Sequence, residues 1–190
     1  MDLPFTISAG PNTDIWRKPP SEILENAPLH GSTTVSLPKF ISASVTFSAK
    51  YTCRFDQVGL AVILRHPASP STKWIKLGIE YFDEEPRPSV SCCDNWADWC
   101  AASLPASMVA AVTEGSQSVT FSLEKNEGAL WVFFHDLNGR KFALREITWV
   151  YGLDDLDNWE AEIGAMAARP NTEAKSELNA TFQAFDVSVE

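Results

Sequence analysis

Hydrophobic and polar residues alternate over many short segments of this chain. The clearest alternation covers residues 74–82, where four apolar residues share one parity: Ile75, Leu77, Ile79 and Tyr81. Because successive side chains of a β-strand point to opposite faces, these four residues predict the core face of a strand. Residues 58–64 form an almost continuous apolar run, which is typical of a central strand covered on both sides.

Further apolar or alternating segments predict strands at residues 35–37, 41–47, 89–93, 119–124, 130–135, 142–151 and 181–189. Asn138-Gly139 predicts a hairpin turn, because both residues accept the positive φ of a type I′ turn. Loops are predicted at 66–72, 83–88 and 94–99, and helical structure only at 105–112 and 154–159. Many short strands joined by turns predict an all-β sandwich that forms one domain over residues 1–190.

The second face of the 74–82 strand carries Trp74, Lys76, Gly78 and Glu80. It has two interpretations: an ordinary solvated face, or the floor of a ligand groove. The neighbouring strands favour the groove, because the same parity leaves small or polar residues outward: Gln57, Gly59, Ala61, Ser89 and Ser91. A glycine inside an apolar strand marks close approach by a ligand or by another backbone.

The charge balance limits the partners. A net charge of −10 argues against nucleic acid and against anionic membranes, because both need clustered Lys and Arg. The longest apolar stretch is far shorter than the roughly 20 residues that span a bilayer. The N-terminal residues lack the pattern of a signal peptide. We therefore expect a cytoplasmic protein that binds neither nucleic acid nor a membrane. The expected partner is a small organic metabolite or a carbohydrate, and the expected state is a monomer or homodimer.

Several chemistries lack their motifs. Glycoside hydrolysis needs two carboxylates that flank the bond, and Glu80 stands alone on its strand face. The histidines His30, His66 and His135 show no metal-ligand spacing. Phosphate-binding, dinucleotide-binding and nucleophile-elbow motifs are also missing. We therefore expect no metal and no cofactor.

Several segments together resemble a known family. Phe55-Asp-Gln-Val-Gly-Leu60, Trp74-Ile-Lys-Leu-Gly-Ile-Glu80 and Trp96-Ala-Asp-Trp99 resemble the central motifs of the uncharacterised "regulation of enolase" family, and Thr13-Asp-Ile-Trp-Arg17 resembles its N-terminal motif. That family, found in fungi and bacteria, belongs to the concanavalin-like lectin/glucanase superfamily. The resemblance implies a jelly-roll β-sandwich of two antiparallel sheets with a concave ligand face that carries Gln57, Lys76, Glu80, Asp98, Trp99 and Arg145.

The chain departs from the family pattern at Cys100, where a small polar residue is usual, and at residues 154–159, which resemble an insertion. These departures suggest a specialised member that serves a biosynthetic pathway, such as a fungal one.

Two functions from different classes remain open. In the first, the concave face catalyses cofactor-free proton transfer, isomerisation or cyclisation: Lys76 and Arg145 polarise an oxygen, and Glu80 or Asp98 acts as general acid or base. In the second, the same face is a lectin-like carbohydrate site or a metabolic regulator without turnover. The predicted ligand-binding residues are Gln57, Trp74, Ser91, Trp96, Trp99 and His135.

Overall fold

The computed structural model describes residues 2–190, most of which lie in two six-stranded antiparallel sheets. The strands are β1 Phe5–Ala9, β2 Ile15–Lys18, β3 Glu22–Glu25, β4 Leu29–Ser36, β5 Phe40–Ala49, β6 Gln57–Arg65, β7 Lys73–Phe82, β8 Glu85–Cys93, β9 Ala97–Ala101, β10 Val119–Asn126, β11 Ala129–His135, β12 Lys141–Ile147, β13 Glu160–Ala168 and β14 Leu178–Val189. Helix α1 is Ala106–Thr113, and short 3-10 helices cover Leu37–Lys39, Val150–Gly152 and Leu156–Asn158.

The two large sheets pack face to face. One, called here the β5 sheet, has the order β1-β14-β5-β10-β11-β12, and the other, the β7 sheet, has the order β4-β13-β6-β7-β8-β9. Strands β2 and β3 pair only with each other and form a separate hairpin. The predicted all-β sandwich is confirmed.

The main core lies between the two sheets, where the predicted parity places it. Ile75, Leu77 and Ile79 are buried there, and half-buried Tyr81 packs against them. The β5 sheet contributes aromatic rings from the opposite side, including Phe47 and Phe121. Side-chain alternation in β7 therefore determines which of its residues can reach a ligand.

A second, smaller apolar cluster lies on the outer face of the β7 sheet. Its buried members come from the sheet and from the start of β2: Ile15, Ala61, Ile63, Trp74, Cys93 and Met166. Trp16 packs against this cluster. The outer face is therefore neither fully solvated nor open, because the β2–β3 hairpin and its neighbours cover part of it.

The sequence mispredicted several elements. Residues 94–99 were expected to form a loop, but β9 begins at Ala97. The 83–88 turn is shorter than expected, because Pro86 and Pro88 belong to β8. Tyr81 of β7 stands opposite Pro86. Its N–H donates to the Asp56 carbonyl oxygen, and its own carbonyl oxygen accepts the Phe55 N–H. Tyr81 therefore needs no hydrogen bond from Pro86, which has no N–H to donate. The hydrophobic pattern did not predict strands β1 to β3, most of β4, or β13.

Gly59 and Gly78 face each other across β6 and β7. A Cβ atom on Gly59 would lie 1.9 Å from the carbonyl oxygen of Leu77, and one on Gly78 would lie 2.1 Å from that of Val58. Gly78 also has a φ of 150°, which disfavours any side chain. The sequence left two explanations for these glycines, close approach of a ligand or of another backbone, and the structure supports the second.

None of the helices among residues 2–190 is long and apolar enough to cross a membrane.

We predict that Gly78→Ala destabilises the fold by about 2–5 kcal/mol, because the new methyl group clashes with backbone and the φ is strained. Gly10→Ala is the matched control, since nothing lies within 4 Å of a Cβ at that position. The control should change the free energy of unfolding by no more than about 0.5 kcal/mol. Urea unfolding measures both, and equal stability of the two variants would contradict the close contact.

Candidate functional site

A cleft of about 370 Å³ opens on the outer face of the β7 sheet, between the sheet and the β2–β3 hairpin. Its lining residues are Asp14, Trp16, Lys18, Glu22, Phe55, Gln57, Lys76, Glu80, Trp99 and Pro170. Ligand pockets commonly enclose about 300–1,000 Å³ and combine aromatic walls with a few polar groups. The cleft has this size and this lining.

Glu80 contributes a buried carboxylate to the cleft. The Ser89 hydroxyl donates to its Oε2 atom at 2.8 Å, and the Trp99 indole N–H donates to the same atom at 2.6 Å. Burial raises the pKa of Glu80; the Lys76 charge and the two hydrogen bonds lower it in part, and the Asp14 charge raises it. A carboxyl with a raised pKa keeps its proton to a higher pH than a free carboxyl does, which suits it to act as a general acid or base.

Lys76 lies on the same face of β7 as Glu80, with Gly78 between them, and it is paired with Asp14 just before the hairpin. Its ammonium group donates to Asp14 Oδ1 at 2.7 Å, and both side chains are buried. The same oxygen accepts the Ile15 N–H at 2.7 Å and a long contact from Gln57 Nε2 at 3.4 Å. The indole of Trp16 stands 5.5 Å from the ammonium group, in the range of a cation–π contact.

Aromatic side chains form one wall of the cleft. Phe55 stacks on Phe82 with ring centroids 5.6 Å apart, and Phe82 meets Trp99 edge to face at 5.2 Å. Arg54 lies over both phenylalanine rings. Phe55 has a φ of 67°, which is uncommon for a bulky residue and costs conformational energy. That strained backbone places its ring in the cleft lining.

The structure brings four of the ten predicted site residues into the cleft: Gln57, Lys76, Glu80 and Trp99. The register explains this, since Gln57 stands directly opposite Glu80 across β6 and β7. Trp74 and Ser91 share the face but are fully buried. Within residues 2–190, the Trp74 indole nitrogen and the Ser91 hydroxyl have no hydrogen-bond partner.

The other four predicted residues lie outside the cleft lining: Asp98, Arg145, Trp96 and His135. Asp98 stands opposite the core residue Cys92, and it forms a 2.7 Å ion pair with Arg145 of the β5 sheet. Trp96 is exposed and lines a neighbouring depression with Arg17.

His135, the last of these four residues, belongs to strand β11 of the β5 sheet. Its Nε2 atom lies 2.9 Å from the Ser122 hydroxyl. Burial and the Lys141 charge lower its pKa.

Sequence reasoning missed the contribution of the hairpin and its flanks. Asp14, Trp16, Lys18 and Glu22 were not among the predicted site residues, although residues 13–17 carry the N-terminal motif of the resemblance. The sequence placed Ser89 on the cleft face of its strand but did not predict its hydrogen bond to Glu80. Asp14 and Lys76 are 62 residues apart, so no local pattern could pair them.

Within residues 2–190, no group of three or more His, Cys, Asp and Glu side chains is arranged to hold a metal ion.

Comparison with known proteins gives a family and a fold. The family described as "Protein of unknown function (DUF1349)" matches residues 2–189. Uncharacterized protein AN7484 from Emericella nidulans is 35% identical over 187 residues, which is 97% of this chain and 86% of that protein.

Solved structures with similar folds include a functionally unknown protein from Saccharomyces cerevisiae, with TM-score 0.74, 18% identity and coverage of 97% of this chain and 87% of that one. The alginate lyase PA1167 from Pseudomonas aeruginosa has TM-score 0.58 and 12% identity, covering 82% and 67%. The GH43 protein BlXynB from Bacillus licheniformis has TM-score 0.57 and 11% identity, covering 80% and 28%. These likenesses confirm the concanavalin-like jelly-roll fold, but the comparisons do not confirm a family named for the regulation of enolase.

We predict that Lys76→Met destabilises the fold by about 3–5 kcal/mol, because it leaves the buried Asp14 carboxylate without its cation. The double variant Asp14→Asn with Lys76→Met should recover part of the loss. Lys50→Met is the control, because Lys50 and Glu114 form an exposed pair worth about 0–1 kcal/mol. Urea unfolding of all three variants tests this, and a Lys76→Met effect no larger than that of the control would refute it.

The raised pKa of Glu80 predicts a pH-dependent stability. Between the ordinary pKa of 4.5 and the raised folded value, the folded state binds more protons than the unfolded state, so ionisation of Glu80 lowers stability as pH rises. Glu80→Gln should therefore raise the melting temperature at pH 7.5 by roughly 2–4 °C, the shift that about 1 kcal/mol produces in a chain of this size. The gain should vanish well below pH 4.5, where Glu80 is neutral in both states. A gain that persists at low pH would argue against the raised pKa.

Proposed function

Because this chain belongs to the DUF1349 family, whose description assigns no function, we propose one from the site: the cleft binds a small organic metabolite, and Glu80 transfers a proton within it. The observation that carries the proposal is a buried carboxylate with a raised pKa in a cleft of ligand size. Enzymes tune general acids and bases in this way, by burial and by neighbouring charges.

Each lining residue has a role in this proposal. Glu80 takes a proton from one atom of the substrate and returns it at another, so the product is an isomer or a ring-closed form and no cofactor is required. Lys76 uses one of its three N–H donors on Asp14, which leaves donors for a ligand oxygen. Trp16, Phe55 and Trp99 shape the site and exclude water.

The proposal also includes a biosynthetic role, such as one in a fungal pathway, and a cytoplasmic location. The biosynthetic role rests on the departures at Cys100 and residues 154–159 from the pattern of the family that the sequence resembles. The cytoplasmic location stays a prediction.

A second candidate is a lectin-like site without turnover. One observation favours it: the cleft combines the rings of Trp16, Phe55 and Trp99 with polar groups such as Gln57, and these are the group types that bind sugar rings and hydroxyls. In that case Glu80 would accept a hydroxyl hydrogen bond and would move no proton.

Exchange with heavy water tests turnover without knowledge of the product. We expect that a library of small metabolites, incubated with the protein in D₂O, contains a ligand that gains deuterium at carbon or changes its chromatographic retention. Glu80→Gln should slow this conversion by about 10²- to 10⁴-fold, the usual contribution of a general acid or base. Mass spectrometry measures the exchange.

Glu114→Gln is the matched control, since it removes one exposed carboxylate outside the cleft lining and should leave the exchange unchanged. Ligands that bind in the cleft without exchange or rearrangement would favour the lectin-like candidate. Absence of any binding from a broad library that includes saccharides would contradict both functions.

A further inference from the structure

The pairing of buried charges points to the charge of the ligand. Six charged side chains are buried within residues 2–190: Asp14, Arg17, Asp56, Lys76, Glu80 and Arg169. Five of them have an ion-pair partner, in the pairs Lys76–Asp14, Arg17–Glu25 and Arg169–Asp56. Glu80 is the sixth and has no such partner among the described residues.

The hydrogen bonds of Glu80 leave one side of its carboxylate open. Both donors, the Ser89 hydroxyl and the Trp99 indole, are neutral, and both bond Oε2. Oε1 accepts no hydrogen bond from any of residues 2–190 in this structure. A buried carboxylate commonly requires a cation or several donors, and here the protein supplies neither to this oxygen.

The remaining cleft residues favour a ligand with a positive charge. The lining carries three carboxylates (Asp14, Glu22 and Glu80) against two ammonium groups, Lys18 and Lys76. The Lys76 charge is already countered by Asp14 at 2.7 Å. Aromatic rings complete the walls, and an aromatic face attracts a cation electrostatically.

We propose that the ligand carries a positively charged nitrogen, as a protonated amine or a quaternary ammonium group, and sets it against Oε1 of Glu80. This inference rests on the proposed ligand cleft and names the chemical class that the cleft takes. An anionic ligand would meet the excess of carboxylates and is disfavoured. A neutral hydroxyl ligand would leave the Glu80 charge without a counter-ion.

Four probes that share one phenyl ring separate these cases: benzylamine, benzyltrimethylammonium, benzyl alcohol and benzoate. Benzylamine carries a positive charge and hydrogen-bond donors, and benzyltrimethylammonium carries a positive charge without a donor. Benzyl alcohol is a neutral donor, and benzoate carries a negative charge. We expect the two cations to bind about tenfold or more tightly than the alcohol, and benzoate to bind least. Chemical-shift titration of the Trp99 indole N–H, which donates to Glu80, reports occupancy directly.

Glu80→Gln should lower the affinity for both cations about tenfold or more and leave that for benzyl alcohol nearly unchanged. The control Glu114→Gln should change neither. Benzyltrimethylammonium has no titrating group, so the pH dependence of its affinity belongs to the protein. Because a cation favours the ionised carboxylate, this affinity should rise with pH through the pKa of Glu80, above the ordinary value of 4.5.

The outcomes separate this inference from the proposed function. If the alcohol or benzoate binds as tightly as the cations, or if Glu80→Gln leaves cation affinity unchanged, the inference is overturned while the ligand cleft stands. If no probe perturbs the Trp99 indole at millimolar concentration, the inference falls together with the proposed cleft. Tight, pH-dependent and Glu80-dependent binding of both cations supports it.

Discussion

The site depends on one buried ion pair between segments that are distant along the chain. Asp14, just before the β2–β3 hairpin, accepts the ammonium group of Lys76 on the outer face of the β7 sheet. This contact holds Trp16 beside the sheet and gives the cleft its second wall. Without it, Glu80 and Gln57 would lie on an open sheet face, where solvent would screen the Glu80 charge and no enclosed volume would remain.

Strand parity made the floor of the site predictable. Period-two alternation separates the core residues of β7 from Lys76 and Glu80, and the same rule in β6 places Gln57 beside them. The walls were not predictable, because they depend on contacts that no local pattern records. Strands β2 and β3 are four residues each and pair only with each other, so their short segments resemble loops in the sequence. Phe55 enters the cleft through a backbone conformation that its residue type does not suggest.

Strand alternation and sheet membership also explain why Asp98 and His135 lie outside the cleft. Once residues 97–101 form β9, Trp99 pairs with Ser91 on the cleft face, and Asp98 must turn toward the core side, where Arg145 meets it. A loop, as expected from the sequence, would have left both side chains free to reach the ligand. His135 belongs to the other sheet, where no shift of register could bring it to the cleft. Within the site, the unpaired charge of Glu80 is a local cost to the fold, and natural proteins carry such costs mainly at functional sites.

The contact between Gly59 and Gly78 also bears on how relatives of this protein diverge. Gly78 lies between Lys76 and Glu80 along β7, so backbone packing against Gly59 fixes this part of the sheet. Neither glycine has room to gain a side chain, so substitution at these two positions is disfavoured. If the cleft binds a ligand as proposed, its preference is more open to change in the walls, at positions such as Trp16 and Phe55, than at these two glycines.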